Sequence, residues 1–130
     1  MKAIILATTL LLAAATSFAN TDINDEARLK PVHVNSAFIP SSFSSDADAY
    51  VIVSGIFPNG CYSWGRADVQ HDGFTHEITT LARVTDGPCL KMLIPFTEKV
   101  NLGQLEIGDH TVRFVNGDGT FMDKPVTIEE

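Results

Sequence analysis

Basic residues are scarce in this 130-residue chain: nine Lys and Arg stand against sixteen Asp and Glu, giving a formal net charge of −7. Those nearest the middle, Arg66, Arg83, Lys91 and Lys99, are scattered. No positive stripe exists to neutralise a phosphate backbone, and an acidic surface is repelled by anionic lipid, so nucleic acid is excluded as a partner. Helical periodicity is missing beyond the first 19 residues, and with it any glycine-rich loop opening onto a helix to cradle phosphate. G-x-S-x-G is absent, and Ser54-Gly55 lies inside a strand-like run instead of a nucleophile elbow. The carboxylate pairs Asp22/Asp25 and Asp46/Asp48 fall in polar stretches where nothing lifts one toward the pKa of a general acid. Neither enzymatic activity nor a cofactor is expected.

What is present begins with an export signal. Met1-Lys2 is a short positive start, Ala3 to Ala15 is almost unbroken apolar sequence, and Ser17-Phe18-Ala19 places small residues around a cleavage point after Ala19. The run is shorter than the roughly 20 residues that span a bilayer, and polar Asn20-Thr21-Asp22 follows without basic stop-transfer residues. Residues 1–19 therefore read as a signal peptide, 20–29 as a flexible acidic lead-in and 30–130 as one domain. The expected location is secreted or periplasmic, with no membrane insertion once the signal is removed. In that oxidising setting the only two cysteines, Cys61 and Cys89, are expected to pair. Closing their loop stabilises by about 3–4 kcal/mol in the chain-entropy picture. Their separation is far from C-x-x-C, and neither has the cationic neighbours of a reactive thiol.

The remaining pattern is that of strands. Lys30 to Phe38 alternates and stops at Pro40, and the serine- and aspartate-rich stretch 41–48 reads as a loop. Tyr50 to Phe57 is the clearest strand, rich in β-branched and aromatic residues, and Pro58-Asn59-Gly60 is a tight turn. Cys61 to Val69 follows, with Cys61, Ser63, Gly65, Ala67 and Val69 on one face and Tyr62, Trp64, Arg66 and Asp68 on the other. If the disulfide lies in the core, Tyr62 and Trp64 point outward or under a loop. Gln70 to Gly73 turns the chain, and Phe74 to Val84 alternates again. Cys89 opens an apolar run interrupted by Pro95, Phe96 to Leu102 is one more strand, and Thr120 to Ile128 is the last. Seven or eight short strands with frequent turn signals predict an all-β fold, an antiparallel two-sheet sandwich with one disulfide.

Leu105, Gly108 and the alternating run through His110, Val112 and Phe114 resemble the corner that leads into the sixth strand of immunoglobulin-like and fibronectin type III domains. In those families a tyrosine opens that strand and bonds back to the corner backbone. His110 stands in its place here, and the resemblance implies that an imidazole N–H makes the equivalent bond. Together with the signal peptide, the layout resembles small exported bacterial proteins with a single such domain.

Two constellations bear on ligands. Asn116-Gly117-Asp118-Gly119-Thr120-Phe121 matches the middle of an EF-hand loop, but Phe114 and Pro125 fall where the first and last oxygen ligands belong, so a glycine-rich hairpin is expected. His71 and His76, with Asp72, Glu77 and His33 nearby, invite a metal reading. Five positions apart on a regular strand they face opposite ways, so surface histidines and no metal site are expected, although the intervening turn leaves convergence open. The function expected is an exported, non-catalytic binding or accessory module that contacts a protein or glycan through its loops. Tyr62, Trp64 and Arg66 are the candidate patch, being residue types enriched in binding hot spots. Alternatives are a peptidase inhibitor presenting Pro58-Asn59-Gly60-Cys61 and a periplasmic metal-handling protein.

Overall fold

The structure, a computed structural model, describes residues 28–130. The signal peptide and the lead-in up to residue 27 lie outside the described residues. Among the described residues nine strands form: β1 (Leu29–Pro31), β2 (Ser36–Phe38), β3 (Ser42–Ser44), β4 (Ala49–Phe57), β5 (Tyr62–Asp72), β6 (Thr75–Val84), β7 (Ile94–Gly103), β8 (Gly108–Val115) and β9 (Phe121–Glu129). They make one sheet of six strands and one of three, with the core between them.

β4 shows why. Ala49, Val51, Val53 and Phe57 turn inward while Tyr50, Ile52, Ser54 and Ile56 turn outward, the period-2 pattern of a strand with one buried face. Opposite them the larger sheet offers Ile78, Val112, Phe114, Val126 and Ile128, all essentially closed to solvent. Gly55 is the inward position without a side chain, because a Cβ there would lie 2.6 Å from the Phe96 ring and 2.7 Å from the His33 carbonyl oxygen. Phe96 fills the space and stacks on Phe57 with ring centroids 4.4 Å apart.

The three-stranded sheet is antiparallel in the order β2-β4-β7. Pro95 sits in β7, an edge strand, where its missing N–H costs no ladder bond. The six-stranded sheet is mixed, which corrects the expectation of purely antiparallel pairing: β6 and β8 run parallel, as do β3 and β9. From β6 the chain crosses to the smaller sheet as β7 and returns as β8, so β8 re-enters beside β6 in the same direction. β5 pairs along the whole of β6, whose other edge is shared by β8 at residues 75–79 and β1 at 81–83.

Three further expectations change. The run Lys30 to Phe38 is two strands in different sheets: β1 pairs with β6, β2 pairs with β4, and buried Val32 and Val34 make the crossing. The crossing stays hydrogen-bonded, Val32 N–H donating to the Thr80 carbonyl at 2.9 Å and Val34 N–H to Asn116 Oδ1 at 3.2 Å. The stretch 41–48 contains a strand, β3, whose Phe43 packs edge-on against Tyr50. The strand expected from Phe96 begins at Ile94 and takes in Pro95, while residues 85–93 form none.

Candidate functional site

Two places concentrate side chains that packing alone does not explain, and they lie at opposite ends of the β5–β6 hairpin. At its open end Cys61 and Cys89 are joined, with Cα atoms 5.2 Å apart, as the compartment argument anticipates. The bridge ties the start of β5 to the loop 85–93, and backbone bonds add to it: Gly60 N–H donates to the Leu90 carbonyl at 2.9 Å and Thr85 N–H to the Cys61 carbonyl at 3.0 Å. On this braced loop Leu90, Met92 and Leu93 are 69%, 57% and 66% exposed. Their chemistry favours burial, yet the fold holds them in water.

Tyr62, Trp64 and Arg66 do not share one outward face. The β5–β6 register slips between Trp64 and Arg66, leaving Gly65 as an extra residue that reverses the alternation. A Cβ on Gly65 would lie 2.7 Å from the Leu81 carbonyl oxygen, so the bulge needs glycine. Before the bulge Tyr62 and Trp64 turn inward, Tyr62 stacking on Phe57 at 6.2 Å and Trp64 lying 6.0 Å from Phe96. After it Ala67 and Val69 take the inner face, and Arg66 points out to pair with Asp68 at 2.8 Å. The aromatic pair is half-buried packing, and Arg66 alone of the three is exposed.

The calcium-like stretch is a hairpin turn whose polar groups serve the turn and, through Asn116 Oδ1, the Val34 N–H. Asn116 N–H donates to the Thr120 carbonyl at 2.8 Å, Gly119 adopts φ +88°, and Asp118 Oδ1 accepts from Thr120 N–H at 3.0 Å and from its hydroxyl at 2.6 Å.

At the closed end of the hairpin the histidines meet, which overturns the expectation that alternation separates them. The turn is the two residues Gly73-Phe74, with Gly73 at φ +60°, as a type II′ turn requires at its first position. Asp72 and Thr75 close it, and the next pair outward is His71 opposite His76. Residues five apart therefore become cross-strand neighbours on one face. Their Nδ1 atoms are 2.7 Å apart. His76 Nε2 is 2.7 Å from His110 Nδ1, and His110 Nε2 is 2.6 Å from the Glu106 carbonyl oxygen. The last contact is the backward corner bond implied by the resemblance at His110.

This chain has one consistent arrangement of protons when the three rings are neutral. A carbonyl only accepts, so His110 carries its proton on Nε2 and offers a lone pair at Nδ1. His76 then donates from Nε2 and offers a lone pair at Nδ1, which leaves His71 to donate from its own Nδ1. His76 and His110 are 2% and 4% exposed, whereas His71 is open to solvent. Phe74 covers His110 at 4.7 Å, and Gly73, Gln104, Leu102 and Leu105 complete a pocket of about 210 Å³ around the rings. Burial, and then the neighbouring His71 and His110 rings, lower the pKa of His76 from 6.5 to about 4.

A pH dependence follows for the metal-free protein. Above pH 6.5 His76 is neutral whether folded or unfolded and contributes no slope. Between 6.5 and about 4 only the unfolded chain takes up the proton, so stability is lost as the pH is lowered until the folded ring also titrates. The loss amounts to about 2 kcal/mol once screening by the water that reaches the pocket is allowed for. Urea unfolding at pH 7 and pH 4.5 should show it, and His76→Gln should flatten that part of the profile.

No curated protein and no solved structure matches the chain significantly. Residues 51–123, from β4 into β9 and so including the bridge, the bulge and all three linked histidines, match the ORF11 beta-sandwich domain. The chain accordingly belongs to the ORF11 beta-sandwich domain family.

Proposed function

We propose that the protein is an exported, non-catalytic binding module whose recognition surface is the braced loop 85–93, and that it takes a protein partner with a complementary apolar groove. The exposure of Leu90, Met92 and Leu93 on a loop tied down by the Cys61–Cys89 bridge carries the reading. A loop fixed before binding loses little conformational entropy on docking, and aliphatic side chains gain by leaving water. Met92 adapts to irregular surfaces. A protein is favoured over a glycan because the loop presents no aromatic platform on which a sugar ring can stack. The signal-peptide pattern of residues 1–19, together with a disulfide that suits an oxidising compartment, supports a secreted or periplasmic setting. Kinship with immunoglobulin-like domains belongs to the same reading: the His110–Glu106 corner bond supports it, while the parallel β6–β8 pairing departs from it.

Pull-down from the native envelope with the mature domain as bait should recover a partner that the double variant Leu90→Glu/Leu93→Glu does not retain. Equal recovery by the two proteins, with matching melting curves, would remove loop 85–93 as the surface. Peptidase inhibition is the second reading, favoured by the bracing of Pro58-Asn59-Gly60-Cys61 through the Cys61 N–H bond to Asn59 Oδ1 at 2.9 Å and the Gly60–Leu90 bond. It predicts inhibition within a panel of serine and cysteine peptidases that Asn59→Ala weakens.

A further inference from the structure

We propose that His71 and His76 form a chelating site for a divalent copper ion, with His110 and the Glu106 carbonyl as the positioning groups that present the His76 lone pair. The site lies at the opposite end of the hairpin from loop 85–93 and is independent of what that loop binds.

The backbone makes the convergence. A two-residue turn sets His71 directly across from His76, and the pair next to a narrow closing pair is the one whose side chains approach most closely. The hairpin is anchored from the other side, where Thr111 N–H donates to the Phe74 carbonyl at 2.8 Å and His76 is in register with Val112 of β8. The two Nδ1 atoms thus face each other across 2.7 Å at the mouth of the pocket.

The proton arrangement does the rest. A metal-ligating histidine characteristically donates its other ring N–H to a fixed acceptor, which settles the tautomer and aims the lone pair. His76 has that partner in His110 Nδ1, and His110 in turn is held by the Glu106 carbonyl. The buried ring therefore points a lone pair at His71 before any ion arrives. An incoming cation has to displace the single proton between the two Nδ1 atoms and, with bonds of about 2.0 Å, sit to one side of the line joining them, which takes a turn of the exposed His71 ring toward it. In exchange His71 takes a proton from water on Nε2, which faces solvent because this ring is exposed, so the ring stays neutral and no net proton is released. The displaced proton leaves to solvent, and no buried bond breaks.

The separation chooses the metal. Two bonds of about 2.0 Å at a right angle span about 2.8 Å, close to the distance present, whereas a tetrahedral angle needs about 3.3 Å and so a wider opening of the two rings. Square-planar preference and the ordinary order of divalent affinities both favour copper over zinc. Among the described residues no group of three His, Cys, Asp or Glu is placed to enclose an ion. The remaining coordination positions are therefore left to water in the open pocket beside Gly73 and Gln104.

The full chain, stripped with chelator and titrated with copper(II) sulfate at pH 7.4, should take up one ion. Its paramagnetic resonance spectrum should show coupling to two nitrogens, and zinc should bind at least about tenfold more weakly. Copper should broaden the ring proton signals of His71 and His76 before those of His33. His71→Gln changes an exposed ring and leaves the buried chain intact, and it should weaken copper binding by about tenfold or more. Copper affinity unchanged in His71→Gln, or broadening that begins at His33, would overturn the assignment. So would a zinc affinity equal to that for copper. None of these results depends on whether loop 85–93 captures a partner.

Discussion

Replacing Cys61 and Cys89 together by serine should lower the melting temperature by roughly 15–25 °C. The bridge spans a sequence separation of 28 residues, and releasing it returns about 3–4 kcal/mol of chain entropy to the unfolded state. For a domain of about 100 residues each kcal/mol corresponds to roughly 4–8 °C. Cys61 is itself buried, so the loss adds a small packing defect to the entropic effect. The loop 85–93 keeps its bonds to Gly60 and Cys61 only while the start of β5 stays in place, so capture of a partner should weaken along with stability. Calorimetry of the oxidised, reduced and doubly substituted proteins checks the first part. A shift below about 5 °C would show that the unfolded chain is already confined by something other than the bridge.

Phe114→Ala should cost about 3–5 kcal/mol, the largest effect of any single truncation in the sandwich. Phe114 is 1% exposed near the end of β8, in register with Ile78 of β6 and Met122 of β9, so the cavity it leaves is walled by strands that cannot collapse inward. A nearby phenylalanine supplies the control. Phe121 is 57% exposed at the other side of the same hairpin and only lies against the Arg113 guanidinium at 4.2 Å, so Phe121→Ala should cost less than about 1 kcal/mol. Urea denaturation of the two variants with an unchanged m-value would establish the contrast. Near-equal losses would mean that the core does not centre on β8.

Sequence reading recovered the parts of this fold that depend on local alternation. β4 is evident from Tyr50 to Phe57 because its inner and outer residues differ in kind and glycine interrupts only once. It failed where one residue shifts the phase. Gly65 looks like another small member of the Cys61 face, but as a bulge it sends Trp64 inward and Arg66 outward, and period-2 counting cannot see an unpaired residue. The first strand failed differently, since alternation at Val32 and Val34 continues smoothly through a change of sheet. β3 offers a single apolar residue, Phe43, and so no pattern. The histidine site was within reach. His-Asp-Gly-Phe-Thr-His reads as a two-residue hairpin once the turn is placed at Gly73-Phe74 instead of ending at Gly73, and residues five apart then become partners. His110 joins them through the parallel pairing of β6 with β8, which no local pattern encodes.

That seam also bears on how the chain reaches its native state. The β5–β6 and β8–β9 hairpins close over short turns, whereas β6 and β8 are joined only through β7 in the opposite sheet. His76 and His110 are 34 residues apart and are brought together by that non-local pairing. Non-local parallel pairing of this kind slows folding, and an early species would hold two formed hairpins with the edge of β6 still open. His76 would be accessible in such a species and enclosed only on completion, so its protection marks the end of folding.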